Sequence, residues 1–402
     1  MNLIKKNIDA IIFFSLMAFL VGDFLSNLKY ENFRFSNTPF FYRYAGLIKL
    51  LFEVFMISLI SINMKNYSRT FWVLIIVSLT FFISQLYLSS VIDYDIKRHF
   101  LSGNIYFYNC YIYLLIFVIF IENVDVKKET FQKAYKYFEY FLYINAIAIA
   151  LGFLFKIEIF RSYEYTPRFG FSGLFSKPGE ASYMYAIAII VSYYHWISHR
   201  SKFLFFKLLL FITCSLCLGQ KKVYLFLLLL GVVFLIHNNR YKKFFRLFLP
   251  FTVLIFILFK ENIVTAILKF SPFWESIYHQ SGLISTITSY RNELLELAAL
   301  HIDKNWTFIN YIVGGLDFNT FKVEFEFIDL YLFLGISGVL YYLHITSMLL
   351  NKNDFLMRNL IVIVFVTSFF SRGLLLNVTS VIFLYIAVKF IMPPVINSSV
   401  HN

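Results

Sequence analysis

The chain has 402 residues, 59% hydrophobic and 21% aromatic, with only 15% charged. Soluble proteins carry about a quarter charged residues, so a globule covered by water on all sides is excluded. With 15 Gly and 7 Pro, a disordered or collagen-like chain is excluded too. The 36 Lys and Arg outnumber the 23 Asp and Glu, for a net charge of +13. An apolar chain with that excess meets anions somewhere, as lipid headgroups or as a substrate.

The N-terminal lysines Lys5 and Lys6 precede an apolar run with no small-residue cleavage site after Gly22, which reads as an uncleaved first span. At roughly 20 apolar residues per crossing, about twelve spans are predicted. They run near 8–25, 44–64, 70–92, 105–121, 138–156, 181–197, 203–219, 223–237, 247–259, 328–350, 355–371 and 373–391. No repeat and no Pro/Gly-rich linker divides the chain, so the expected fold is one all-α polytopic membrane domain over 1–402. An outer loop at 157–180 precedes span six, and a long outer loop at 260–327 carries interfacial helices.

Lys and Arg divide evenly between the two sides of this topology. The positive-inside rule weighs short loops, and discounting 260–327 places both termini in the cytoplasm. Outer loops should be poor in cations unless something requires them. Arg168 and Lys177 lie in 157–180, Lys221 and Lys222 fill a tight outer turn, Arg291 lies in the long loop and Arg372 in the last outer turn. As a set they point to an anionic ligand on the outer face.

Four constellations carry the chemistry. Arg168-Phe-Gly170 through Lys177-Pro178-Gly179-Glu180 forces a sharp turn into span six, with Pro178 suited to a helix start. Gly219-Gln220-Lys221-Lys222 places two ammonium groups near the N-terminus of the next helix, where the helix dipole also favours phosphate. Arg291 falls in the first turn of a helix with apolar spacing over 289–300. Glu324, Glu326 and Asp329 stand at the mouth of span ten, and Glu326 and Asp329 share a helix face. Partial burial would suit such a carboxylate to act as a general base.

Weaker signals sit beside these. Asp93-Tyr-Asp95 is a minimal metal motif, and Lys49 and Glu53, four apart in span two, are expected to neutralise each other. The Cys214 and Cys217 thiols lie in an apolar run and read as packed side chains. The eight histidines lack metal-ligand spacing and no Walker or dinucleotide glycine pattern is present, so no metal, cofactor or nucleic-acid partner is expected.

In order along the chain, four features resemble the Wzy-type oligosaccharide repeat-unit polymerases, relatives of the O-antigen ligases. These are the Arg168…Gly170…Lys177-Pro178 loop, the Lys221-x3-Leu225 turn, Arg291 with Trp306 and Gly314-Gly315 beyond it, and the acidic entry to Gly335-x-x-Gly338. The resemblance covers roughly 165–345. Members usually carry Arg where this chain has Lys221 or Lys222, so only the charge carries over. Ligases typically carry His eleven residues before the glycine of the last motif. Glu324 in that position looks more like a polymerase.

The resemblance implies a GT-C-like glycosyltransferase of the bacterial cytoplasmic membrane. Its partners would be undecaprenyl-pyrophosphate-linked oligosaccharides and membrane lipid, with room for a chain-length regulator. Arg291 would be the main pyrophosphate clamp, assisted by Arg168, Lys177, Lys221, Lys222 and Arg372, and a base would come from Glu324, Glu326 or Asp329. The alternatives are a ligase-like transferase and, in a different class, a lipid-linked oligosaccharide flippase or solute transporter. The chain shows neither the symmetric halves nor the several charged spans expected of a transporter.

Overall fold

The computed structural model describes residues 2–32, 44–64, 67–87, 103–124, 126–163, 168–238, 272–318, 320–351 and 354–391, with the isolated positions 250 and 258. Span nine (247–259) and Asp93-Tyr-Asp95 therefore lie outside the described residues, as does 260–271 of the long loop.

The described residues form helices and contain no strand, only an isolated bridge between Arg161 and Phe171. In chain order the helices are α1 (Asn2–Asn32), α2 (Tyr44–Asn63), α3 (Arg69–Leu86), α4 (Ile105–Asn123), α5 (Lys128–Phe155), α6 (Pro178–His199), α7 (Lys202–Cys217) and α8 (Lys221–His237). There follow α9 (Pro272–Thr288), α10 (Arg291–Asn305), α11 (Phe308–Val313), α12 (Glu326–Leu350), α13 (Phe355–Phe370) and α14 (Val378–Ile391). Six of them, α1 to α5 and α12, are long and apolar enough to cross a membrane, while α13 and α14 are apolar but shorter. Outward-facing Phe14, Leu51, Leu154, Phe203 and Phe206 are all more than 60% exposed. So much apolar surface suits lipid rather than water. This is the build of a polytopic membrane protein.

The centre follows from which helices lack a polar side. Every residue of α4 from Cys110 to Phe120, of α6 from Glu180 to Tyr193 and of α14 from Val378 to Val388 is buried. A helix that is apolar all round packs inside, and α14 accordingly touches α4, α5 and α6. Around this centre α1 packs on α2 and α5, α3 on α4 and α12, and α13 on α6, α8 and α12.

α12 is not one rod. Gly335 takes φ 61°, a left-handed conformation that interrupts the helix, and the 314–316 segment docks against the break. The Leu316 N–H donates to the Leu332 carbonyl at 3.1 Å. A Cβ on Gly335 would lie 2.1 Å from the Ile312 carbonyl oxygen, so the two backbones meet where only glycine fits. Interrupted helices at membrane depth are tolerated where protein re-satisfies the freed groups. Here the long loop does so.

Candidate functional site

Segments far apart in the chain converge through direct contacts. The first is the loop before α6. After α5 ends at Phe155, the Ser162 N–H donates to the Gly170 carbonyl at 2.9 Å and the Gly173 N–H to the Phe160 carbonyl at 3.1 Å. Buried Asn145 pins the return: its Oδ1 accepts from Leu174 N–H at 2.5 Å, and its Nδ2 donates to the Tyr185 hydroxyl at 3.0 Å. The loop then crosses the α7–α8 turn, with Phe171 N–H donating to the Cys217 carbonyl at 2.7 Å.

That crossing gathers a cationic cluster. The Arg168 guanidinium lies 3.8 Å from the Tyr163 ring centre and 4.9 Å from that of Trp274, and donates to the Gly219 carbonyl at 3.4 Å. The Lys221 ammonium sits 3.0 Å from the same Trp274 ring and donates to the Thr286 carbonyl. Burial pushes the Arg168 pKa down, Tyr163 offsets part of that, and Arg291 adds to it. Burial likewise pushes the Tyr163 phenol up to about 12, against the pull of Arg168. Lys222 turns the other way, donating to the Gly179 carbonyl at 2.9 Å, 4.0 Å from the Tyr183 ring centre.

Arg291 opens α10, as the apolar spacing predicts. It follows Ser289 and Tyr290, both left-handed at φ 58° and 67°. Two such non-glycine residues cost about 1–3 kcal/mol each and are held only by their surroundings. Its Nη1 donates to the Thr288 carbonyl at 3.1 Å, and Nη2 lies 3.4 Å from Glu324 Oε2. Its Nε, like that of Arg168, is buried without a hydrogen-bond partner.

The three carboxylates at the mouth of α12 have separate fates. Glu326 is fully buried and accepts from Ser368 Oγ at 3.0 Å and from the backbone N–H groups of Gly373, Leu374 and Leu375 at 2.5, 2.9 and 3.1 Å. It shapes the turn between α13 and α14. Asp329 is 1% exposed and accepts from the N–H groups of Val323 and Glu324 at 2.9 and 3.1 Å, with Arg372 Nε 3.7 Å away. Neither presents a free oxygen to open space, so of the three carboxylates offered as a base these two serve the fold instead. Glu326 and Asp329 do share a helix face, but backbone amides occupy it. Glu324 differs. Its left-handed backbone (φ 66°) is tied at both ends, the N–H to Asp329 and the carbonyl to the Arg372 N–H at 3.1 Å, while its side chain is 45% exposed.

Beside Glu324 opens a cavity of about 630 Å³, within the range of roughly 300–1,000 Å³ that small-molecule sites occupy. Of the expected site residues, Lys177, Arg291, Glu324 and Arg372 line it. Arg168 and Lys221 form the neighbouring cluster around Trp274, and Lys222 lies beneath the floor at Gly179. Arg372 is held over aromatic rings, 4.6 Å from the centre of Phe318 and 5.6 Å from that of Phe107.

The cavity also contains residues the sequence reading did not assign: Asp23, Lys49, Glu180, Lys322 and Asn377. Lys322 stands 4.5 Å from the Phe107 ring centre, and burial, with Arg372 next, lowers its pKa against the pull of Asp329, Glu324 and Asp317. Lys49 does not pair with Glu53. Its ammonium donates to Asp23 Oδ1 at 3.0 Å, while Glu53 accepts from Asn109 Nδ2 at 2.8 Å. A buried Asp23 on α1 needs a cation, and Lys49 on α2 supplies it across the helix interface. Helices α1, α2 and α6 thus carry buried ionisable groups, against the expectation that charged spans are few, although Glu180 stands at the end of the expected 157–180 loop. A charge in an apolar run was the signal for them, and Glu180 directly follows the Lys177-Pro178-Gly179 motif.

Among the described residues no three His, Cys, Asp or Glu side chains group as a metal site, and Cys110, Cys214 and Cys217 are free thiols. No protein family, no curated protein and no solved structure matches the chain.

Proposed function

We propose that this chain is a polysaccharide polymerase with a GT-C-like fold. It transfers a growing glycan from undecaprenyl pyrophosphate to the non-reducing end of a lipid-linked repeat unit. In this reading it works at the outer face of the bacterial cytoplasmic membrane, with about twelve spans and both termini inside. The observation that carries the reading is the arrangement of Arg291, Lys322 and Arg372 around one half-exposed carboxylate, Glu324, on the wall of the cavity.

The chemistry follows from that arrangement. The acceptor hydroxyl oxygen attacks the anomeric carbon of the donor sugar, and its proton passes to Glu324. The bond from that carbon to the pyrophosphate oxygen breaks, and the electron pair leaves with the pyrophosphate. Arg291, Lys322 and Arg372 meet the developing charge as fixed donors in a site of low dielectric. Arg291 brings an unspent Nε as well. When a pyrophosphate draws the Arg291 fork toward itself, the Glu324 carboxylate is released from its ion pair and is free to take the acceptor proton.

Reconstitution of the purified protein in vesicles with lipid-linked repeat units, with and without a chelator, tests this. Glycans of many repeats are expected in both conditions. Products that stay at one repeat would overturn it, and a requirement for added divalent metal would overturn the metal-independent form. One observation favours a second reading: the buried Asp23–Lys49 pair joining α1 and α2 is the kind of intramembrane charge that transporters carry. A flippase in the same vesicles would move lipid-linked oligosaccharide across the bilayer without lengthening it.

A further inference from the structure

The ionisable groups lining the cavity fall into two sets. Arg291, Lys322 and Arg372 against Glu324 give three positive charges and one negative, a formal +2. Lys49 and Lys177 against Asp23 and Glu180 give two of each, a formal zero. The members of the second set lie within electrostatic reach of one another. An anion is matched by the first set only.

Within the second set the Glu180 carboxyl meets that of Asp23 within hydrogen-bond reach, and one of its oxygens is left over. Asp23 is satisfied twice, by Lys49 and by the Thr379 hydroxyl donating to Oδ2 at 2.9 Å. Glu180, in the first turn of α6, is 5% exposed, lines the cavity and has an Oε1 that is buried with no hydrogen-bond partner. A buried acceptor without a donor is destabilising, so its retention calls for something that donates to it. The Lys49 and Lys177 ammonium groups lie within electrostatic reach of it, and the Asn377 amide and the Tyr106 ring line the same cavity, as does the Phe107 ring that also carries Lys322 and Arg372. Interleaved donors and acceptors with no net charge, next to aromatic faces, fit a molecule whose hydroxyls both donate and accept and whose C–H faces are apolar.

We propose that Asp23, Lys49, Lys177 and Glu180 form a saccharide site, in which Glu180 accepts a hydrogen bond from a hydroxyl or amide N–H of a neutral sugar ring. That this sugar belongs to a lipid-linked repeat unit rests on the polymerase reading; that the site takes a saccharide does not. The first set would hold the pyrophosphate while the second holds sugar, so the two ends of one substrate are recognised by opposite chemistries.

The test uses the full chain in nanodiscs and two probes titrated separately. One is the host's repeat-unit oligosaccharide freed of lipid and phosphate, and the other is inorganic pyrophosphate. Glu180→Gln and Glu180→Ala are expected to weaken oligosaccharide binding at least tenfold and leave pyrophosphate binding within twofold. Arg291→Ala is expected to do the reverse. Oligosaccharide binding equal to wild type in both Glu180 variants overturns the site, as does no oligosaccharide binding by wild type, or a loss of both probes together in the Glu180 variants. If Glu180-dependent binding is found but vesicles never lengthen a glycan, the polymerase reading falls and the saccharide site stands.

Discussion

The Arg291 guanidinium lies 3.4 Å from the Glu324 carboxylate, and each residue is held in place by strained backbone: Ser289 and Tyr290 before the arginine, and Glu324 itself, all have positive φ. Exposed ion pairs contribute little to stability, so strain concentrated around this one points to a use other than holding the fold together.

On the polymerase proposal, Arg291→Ala is expected to leave the protein inserted and folded while polymer formation falls by about 100-fold or more, the loss typical of removing one preorganised donor. Gel analysis of surface glycan should show single repeat units. Long-chain polymer at wild-type level would remove Arg291 from the mechanism.

Glu324 and Glu326 should separate cleanly. Glu326→Ala strands three backbone N–H groups and a serine hydroxyl in the interior, at about 1–3 kcal/mol for each unsatisfied group, so its thermal unfolding in detergent should shift far down or folded protein should be lost. Glu324→Gln should unfold within a few degrees of wild type and yet lose activity. Full activity in Glu324→Gln would end the case for this residue as the base.

Trp274 bears both Arg168 and Lys221 on its ring. Replacing it by Leu keeps the apolar bulk and removes the ring's negative face, worth about 0.5–2 kcal/mol per cation. If the proposed lipid-linked donor is the substrate, its apparent KM is expected to rise about 3- to 30-fold with kcat little changed. A fall in kcat at constant KM would place the cluster elsewhere in the cycle.

Two glycines give opposite forecasts. Gly335→Ala puts a Cβ 2.1 Å from the Ile312 oxygen at a positive φ, so little folded protein should survive. At Gly231, inside α8, a Cβ meets nothing within 4 Å, and Ala there should stabilise by about 0.5–1 kcal/mol. Thermal unfolding of the two purified variants checks both.

What the sequence made legible is what local rules control. Apolar runs place the helices, Pro178 opens α6, Lys221 opens α8 and Arg291 opens α10, because helix starts depend on neighbouring residues alone. The acids at 324–329 could be located but not sorted. Glu326 reaches amides 47 to 49 positions away, and Asp329 reaches Arg372. Lys49 was misassigned for the same reason, since its partner lies across a helix interface rather than one turn along. Lys322 gave no local signal at all, and the docking of the long loop alone brings it to the cavity.

The position of α14 bears on how the molecule is made. It is sheathed by α4, α5 and α6, yet the ribosome delivers it after all three. Of these, α4 and α5 are long and apolar enough to cross a membrane, but the seat the three helices share stays vacant until α14 arrives. Insertion and consolidation are therefore separate events in the life of this protein. The Glu326 turn leading into α14 cannot form before then either, so a chain that lacks only α14 already holds Arg291, Lys322 and Arg372 without the cavity wall that Val378 completes.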